Sequence, residues 1–460
     1  MSNDLKRTLN LKDSISVVVG SMVGSGIFIV SADIARQVQS ASFLIIVWII
    51  AGLFSLAGAI AYSEPVLNIK EDGGQYIFLK KMFNDLVAFL YGWTLLLVIQ
   101  TATIAAVCIA VGKFLGILFP YISSQNYLIQ SPFFSFSTQQ AFALAICIIL
   151  TYINSKGIKY GVITQNIFTV TKVLSIVGII ILGVFLGCNH EIISANFHHI
   201  LSTSDFTFTN MEIIATASVG AIFAMVTWNN ITFISGEVKE PEKNIPLALV
   251  WGVIIVIALY LLINFLYVFS IPLEQIQNAP EDIVAVVLMQ KITGVAGEFI
   301  IALIIMISAC GSANGLIMTG ARVYYQMAKD GLLFEKLAAI NDKTKVPVNA
   351  LLLQCVWSSI LIMFCGNYSQ LLDYVIYGAL IFYVLTAIGI FVYRIRYKKE
   401  TLHKINAIYG IFFIVVGLFI IYSLSVYKTI NSLHTFILIS TGFPIYFLWK
   451  YLKNRKTCTK

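Results

Sequence analysis

Residues 17–30 read VVVGSMVGSGIFIV. The flanking valines and isoleucines suit a helix in lipid, but Gly20, Ser21, Gly24, Ser25 and Gly26 crowd its middle. Each glycine inside a helix costs about 1 kcal/mol relative to alanine, and serine is a mediocre helix former. A segment bound for a bilayer therefore carries its weakest helical stretch at mid-depth. Backbone that leaves helical geometry in hydrocarbon exposes N–H and C=O groups, and each is expensive unless protein, water or ligand meets it. The stretch predicts a broken helix opening on a polar cavity. Small residues also let membrane helices pack closely, so this cluster alone leaves helix packing as an alternative.

The rest of the chain supports the membrane setting. Its 460 residues are 59% hydrophobic and 11% charged, against about 25% charged in soluble domains. Twelve runs approach or exceed the length of a span, at 14–33, 41–67, 84–118, 139–155, 161–187, 211–235, 245–270, 295–327, 350–365, 370–396, 406–427 and 432–452. The third and eighth are long enough to tilt, and the ninth is short. These make one transmembrane domain over 1–460, with a polar leader at 1–13 and a tail at 453–460. The leader lacks the apolar run and cleavage site of a signal peptide. With the leader in the cytoplasm, 25 of the 30 lysines and arginines fall in inside segments, and only Arg36, Lys113, Lys291 and Lys428 fall outside. The positive-inside rule then puts both termini in the cytoplasm of a cell-membrane protein. The net charge of +8 is thus accounted for by topology, and nucleic acid is excluded as a partner. The seven cysteines are scattered singly, form no metal-ligand pattern, and are read as packing residues.

A second weak point lies at 223–236, FAMVTWNNITFISG, where Thr227, Asn229, Asn230 and Thr232 interrupt the sixth span. Five helices separate the interruptions, the spacing of two inverted five-helix repeats. These occupy 14–187 and 211–396, and the two helices of 406–452 are peripheral. The outer segment 278–294 is too short to span and predicts a helix lying over the mouth.

The interruptions have a chemistry. At Ser25, Gly26 and Ile27 the second half of helix one begins, and its N–H groups and positive dipole end favour a carboxylate. Carbonyls freed near Met22 suit an ammonium, and a broken sixth helix offers the same pair of ends from the other side. A carboxylate and an amine held a few ångströms apart describe an α-amino acid. Trp228 falls inside the second interruption and is counted with the binding residues. Lys172 is the only basic residue well away from the ends of a span; such a residue is by default functional, or else snorkels to the interface. Glu64 and Glu237, near inner helix ends, are read as salt-bridge or gate residues with inside lysines or Arg322.

These stretches resemble the amino acid–polyamine–organocation superfamily, and within it the L-type amino acid transporter branch with its bacterial exchanger relatives. The resemblance rests on GSMVGSGIF at 20–28, EDGGQYIFLKKMF at 71–83 with GW at 92–93, FAMVTWNNITFISGEVKEPEKNIP at 223–246, and SACGSANGLIMTGARVYYQMAKDGLLF at 308–334. It implies an all-α LeuT-like fold of twelve spans with helices 1 and 6 broken. It implies a substrate carboxylate at Ser25, Gly26 and Ile27, and an amine at the carbonyls of Met22, Phe223 and Val226. Phe223 takes the outer gating position. Lys172 stands where sodium-coupled relatives hold sodium, near Gly20 and near Ser308 or Ser312. The sequence departs from the branch at Met225, Val226 and Thr227, where an aromatic and glycine-like residues are usual, so large aromatic substrates are disfavoured. The loop 119–138 lacks the cysteine that joins animal members to a heavy chain, and no heavy-chain subunit is expected.

The combined expectation is a secondary transporter, not an enzyme, with no cofactor and no metal. It exchanges small or medium neutral L-amino acids across the bilayer by alternating access without sodium. A proton-coupled amino acid or amine symporter of the same fold and a non-transporting amino acid sensor are the alternatives. The oligomeric state is left open, with a monomer among the options.

Overall fold

The computed structural model of the chain describes residues 7–69, 73–131, 134–198, 205–364, 368–397 and 404–458. Residues 1–6 of the leader, 459–460 of the tail, Lys70, Lys398, Lys399 and Cys365 lie outside the described residues, as do Glu71 and Asp72 of the motif at 71–83.

Helix one is in two pieces. Asn10 and Asp13 form a reciprocal cap that starts α1 (Leu11–Met22), which ends where Val23 turns to extended backbone. α2 (Gly26–Val38) resumes at an angle of 41°. The glycine and serine residues at 24–26 thus mark a break, rather than only a close helix contact. α3 (Ala41–Asn68) returns through the bundle, and α4 (Gln75–Met82) lies beyond its end. α5 (Asp85–Thr94), a π-helical stretch at Leu95–Ile99 and α6 (Gln100–Leu118) make one long apolar rod.

The loop after α6 holds a small antiparallel hairpin, β1 (Tyr127–Gln130) and β2 (Ser135–Ser137), paired Ile129 to Phe136 and Gln130 to Ser135. The all-helical expectation did not include it. α7 (Thr138–Ser155) and α8 (Ile158–Leu186) follow. Ile163, Ile167, Val170 and Leu174 of α8 are exposed on a lipid-suited face, whereas Gln165, Thr169, Lys172, Ile176 and Ile179 are buried on the other. Their spacing of three and four residues turns that second row inward.

After the short α9 (His190–Asn196), α10 (Phe208–Met225) ends at the second break. The segment beyond it, Trp228–Glu237, is a 3-10 helix. The run TWNNIT explains this tighter form: Asn and β-branched residues hold an α-helix poorly, and the Thr232 hydroxyl donates to the Asn229 carbonyl at 2.7 Å.

The chain continues through α11 (Pro241–Ser270) and α12 (Leu273–Gln277) to α13 (Val284–Thr293). The predicted mouth helix is α13, with Val284, Leu288 and Met289 buried. α14 (Val295–Lys329), α15 (Val348–Phe364), α16 (Tyr368–Tyr397), α17 (Lys404–Tyr427) and α18 (Thr429–Cys458) complete the bundle. Among the described residues ten helices, or eleven with the bent pair counted once, are long and apolar enough to cross a membrane. The run expected at 350–365 is α15, whose 17 residues extend about 26 Å at 1.5 Å per residue. α1 packs against α8, α11, α14 and the 3-10 helix, and α2 against α3 and α10, so both breaks lie inside the bundle. Of the cysteines, Cys108 and Cys147 are buried as packing residues, but Cys188 is exposed.

The end of the bundle where α1 begins is laced by polar contacts. Thr8 and Leu9 donate backbone N–H groups to the Glu237 carbonyl at 2.8 and 2.9 Å. The Glu237 side chain pairs with Arg322 at 3.0 Å, the two side chains being 1% and 2% exposed. Glu64 pairs with Arg394 at 3.0 Å, and Lys80 with Asp330 at 2.8 Å. At the opposite end Arg36 pairs with Asp282 at 2.7 Å, and Gln277 donates to the Ala35 carbonyl at 3.1 Å. Removing one partner of a buried pair strands the other charge, at about 3–5 kcal/mol. We predict that Glu237→Gln lowers the thermal unfolding temperature of the detergent-purified protein. The double variant Glu237→Gln/Arg322→Met should recover part of the loss; a single variant as stable as wild type would contradict this.

Candidate functional site

The site is built from the two breaks. In helix one the last regular bond runs from the Val23 N–H to the Val19 carbonyl at 2.8 Å, and the carbonyls of Gly20 and Val23 have no following turn to serve. The Lys172 ammonium meets both, donating to Gly20 O at 2.8 Å and Val23 O at 2.5 Å, and lies 3.2 Å from Ser312 Oγ. Lys172 is 0% exposed, which removes the snorkelling alternative. Ser312 and Ser308 add hydroxyl donors to Val23 O at 2.8 and 3.2 Å. The sequence expectation named either serine; both reach the break.

Two glycines make room for this arrangement. A Cβ on Gly24 would lie 3.1 Å from Ser312 Oγ, and one on Gly311 would lie 2.6 Å from Phe168 Cβ and 3.0 Å from Lys172 Cε and Nζ. Gly311 was not singled out from sequence, because nothing in SACGSANG distinguishes a glycine beside a lysine from any other small residue.

On the other side of the break is a cavity of about 20 Å³, lined by Ser21, Met22, Gly24, Ser25 and Gly26 of helix one, and by Phe223, Ala224, Val226 and Thr227 of helix six. Thr103, Val107, Ser312 and Leu316 close it. Space of that size suits about one water, so the two halves are closed on each other. Gly26 is a point of close approach: a Cβ there would lie 2.9 Å from Ala224 Cβ and 3.1 Å from Ala224 Cα. The α2 end here carries the N–H groups of a first helical turn, and its Ser25 side chain makes no capping bond.

Tyr260 of α11 joins the two breaks. Its hydroxyl is 3.0 Å from Met22 O and 3.1 Å from Ala224 O, within donating distance of the C-terminal carbonyls of both α1 and α10. Sequence reasoning missed it, since a tyrosine in IALYLLINFLYVF carries no mark of which neighbours it will meet. Phe223 O already accepts the Val226 N–H at 3.3 Å. Thr227 sits in left-handed backbone with φ 81°, a strained place for a β-branched residue.

Of the predicted binding residues, Met22, Ser25, Gly26, Phe223 and Val226 line the cavity together, whereas Ile27 and Trp228 do not. Ile27 is buried one residue beyond the wall. Trp228 is turned away by the left-handed Thr227: its ring stacks on Tyr383 at 5.5 Å and meets Tyr62 edge-on at 4.9 Å. Among the described residues no group of three or more His, Cys, Asp or Glu is placed to hold a metal ion.

Comparison with known families decides what this geometry belongs to. Residues 9–448 match the family described as amino acid permease. The chain belongs to that family. The permease is 29% identical over 99% of its length to the large neutral amino acids transporter small subunit 2 of Oryctolagus cuniculus, covering 82% of that protein. It is 28% identical over 98% of its length to the b(0,+)-type amino acid transporter 1 of Mus musculus, covering 90% of that protein. The permease is thus an amino acid transporter of the L-type branch, a multi-pass membrane protein and not an enzyme.

One expectation is corrected. The rabbit relative is named as a small subunit, a member of an assembly. The expectation of no heavy-chain subunit does not stand against it. A loop without cysteine lacks a disulfide link, and that leaves noncovalent association unaffected.

Overpacking at a close backbone contact costs about 1–3 kcal/mol, and β-branching adds rotamer restriction. We predict that Gly26→Val abolishes amino acid transport in proteoliposomes while the protein still folds by gel filtration. Gly311→Ala is expected to press on Phe168 and Lys172 and reduce transport several-fold; wild-type rates in either variant would contradict the assignment.

Proposed function

We propose that the permease is a sodium-independent exchanger of small or medium neutral L-amino acids, working by alternating access in the cell membrane with both termini cytoplasmic. In this reading α15 counts as a span. The chain then forms twelve spans, with the five-plus-five inverted repeats at 14–187 and 211–396 and the peripheral pair at 406–452.

The observation that carries the reading is the Lys172 ammonium on the carbonyls of Gly20 and Val23. A cation is needed where a half-helix presents its negative end inside a membrane, and here it is tethered to α8. Gly20, Ser308 and Ser312 are its companions. The substrate carboxylate is assigned to the first turn of α2 at Ser25 and Gly26. The amine is assigned to the carbonyl side, with Met22 and Val226, and Phe223 acts as the outer gate. The lining residues of the cavity include no Asp, Glu, Lys or Arg, which supports a neutral substrate. The polar lacing at both bundle ends and the small cavity describe a closed state between two openings.

The test is counterflow of labelled amino acids into proteoliposomes with choline replacing sodium, for wild type and Lys172→Ala, with and without an imposed pH gradient. Exchange persists without sodium in wild type. It falls in Lys172→Ala by roughly the 1–3 kcal/mol of an unmet buried group, about 5- to 150-fold. Wild-type flux that collapses without sodium would overturn the tethered-cation role. Uphill flux driven by the pH gradient alone would favour the symporter. Decarboxylated amines should compete poorly, because they lack the group assigned to α2.

A further inference from the structure

A second cavity, also of about 20 Å³, adjoins the first, and Thr103, Val226 and Thr227 line both. It runs from the helix-six break between the 3-10 helix, the α5–α6 rod and α16. Its polar wall divides into two sets. In the first, every partner is protein: Asn229 Nδ2 donates to Gln75 Oε1 at 2.8 Å, Tyr383 donates to Asn229 Oδ1 at 2.9 Å, and Gln100 Nε2 donates to Leu316 O at 2.8 Å. In the second, Thr227 Oγ1 and Asn230 Nδ2 are buried and make no protein hydrogen bond. Both residues line the cavity, and they are 9% and 3% exposed.

Buried polar groups are nearly always paired, and an exception calls for a ligand or water. Here the exception lies in strained backbone, since Thr227 holds φ 81°, and such strain persists where the surroundings fix it for a purpose. The two groups suit a polar side chain, and the lining residues of neither cavity include a Lys or Arg to pair a carboxylate. An amide N–H donates to an oxygen, and a hydroxyl accepts that group's proton, so a hydroxyl or carboxamide satisfies both at once. A methyl group in its place satisfies neither.

We propose that Thr227 and Asn230 form a side-chain subsite that selects neutral amino acids bearing a hydroxyl or carboxamide, such as serine, threonine, asparagine and glutamine. The inference rests on the amino acid reading of the first cavity, where the backbone ends take the amino and carboxyl groups. The side chain then passes Val226 into the second cavity. A substrate side chain that meets both groups loses nothing on leaving water, whereas one that meets neither strands them.

Matched pairs test this in proteoliposomes holding the full chain. Counterflow is measured for threonine against valine, serine against alanine, and glutamine against methionine. The hydrogen-bonding member of each pair is expected to have at least about a tenfold higher kcat/KM, since a site built for a hydroxyl rejects the analogue that lacks it. Thr227→Val and Asn230→Leu should each bring the threonine-to-valine ratio towards one, and Thr227→Ser should retain it. Equal handling of the pairs by wild type overturns the subsite, however the variants fold. A ratio unchanged in both variants overturns its assignment to these residues. Absence of counterflow for all twenty amino acids overturns the exchanger reading itself, and the subsite with it.

Discussion

A buried lysine against a broken helix is the constraint on which the bundle is organised. A lysine in the middle of a membrane protein is costly, and so are carbonyls with no following turn. Lys172 and the end of α1 resolve each other's cost. That pairing dictates much around it. α8 turns its polar row inward, α14 contributes Ser308 and Ser312 on one face, and Gly311 stays small so the side chain can pass. The break at 23–25 is therefore held open by tertiary contacts, and the weak helical propensity of GSMVGSG only permits it.

The second break is made differently. Helix one stops at small residues and restarts as α-helix, whereas helix six stops at a strained threonine and restarts as 3-10 helix. The left-handed Thr227 turns Trp228 into an aromatic cluster with Tyr62, Tyr383 and Phe413. It also leaves the next asparagines facing α16 and the α5–α6 rod. One side of the cavity region is consequently lined by backbone and the other by side chains. Recognition of what amino acids share and of what distinguishes them can thus reside on different elements.

Much of this was legible in the sequence for physical reasons that are local. Glycine and serine at mid-span announce a break, and the polar run TWNNIT announces another. A run of apolar residues from 84 to 118 announces the rod observed at Asp85–Leu118. A lone lysine in NIFTVTKVLSIVGII is conspicuous by its cost. What stayed hidden depends on contacts between distant segments. Tyr260 is one tyrosine in an apolar helix until α1 and α10 end beside it. The direction of Trp228 follows from the sign of one backbone angle at Thr227, and no residue type reveals that when the residue is not glycine. The hairpin at 127–137 is too short for its alternation to stand out from a polar loop. The expectation of no heavy-chain subunit failed because a missing cysteine speaks only of covalent linkage.

Tyr260 carries one further consequence. A phenol has a single proton, yet its oxygen lies at donating distance from the carbonyls of both Met22 and Ala224. A full bond to one leaves the other short of a donor. A second donor at the Met22 carbonyl would leave the O–H wholly to Ala224. The two helix ends thereby share one O–H donor, and its direction couples their hydrogen bonding.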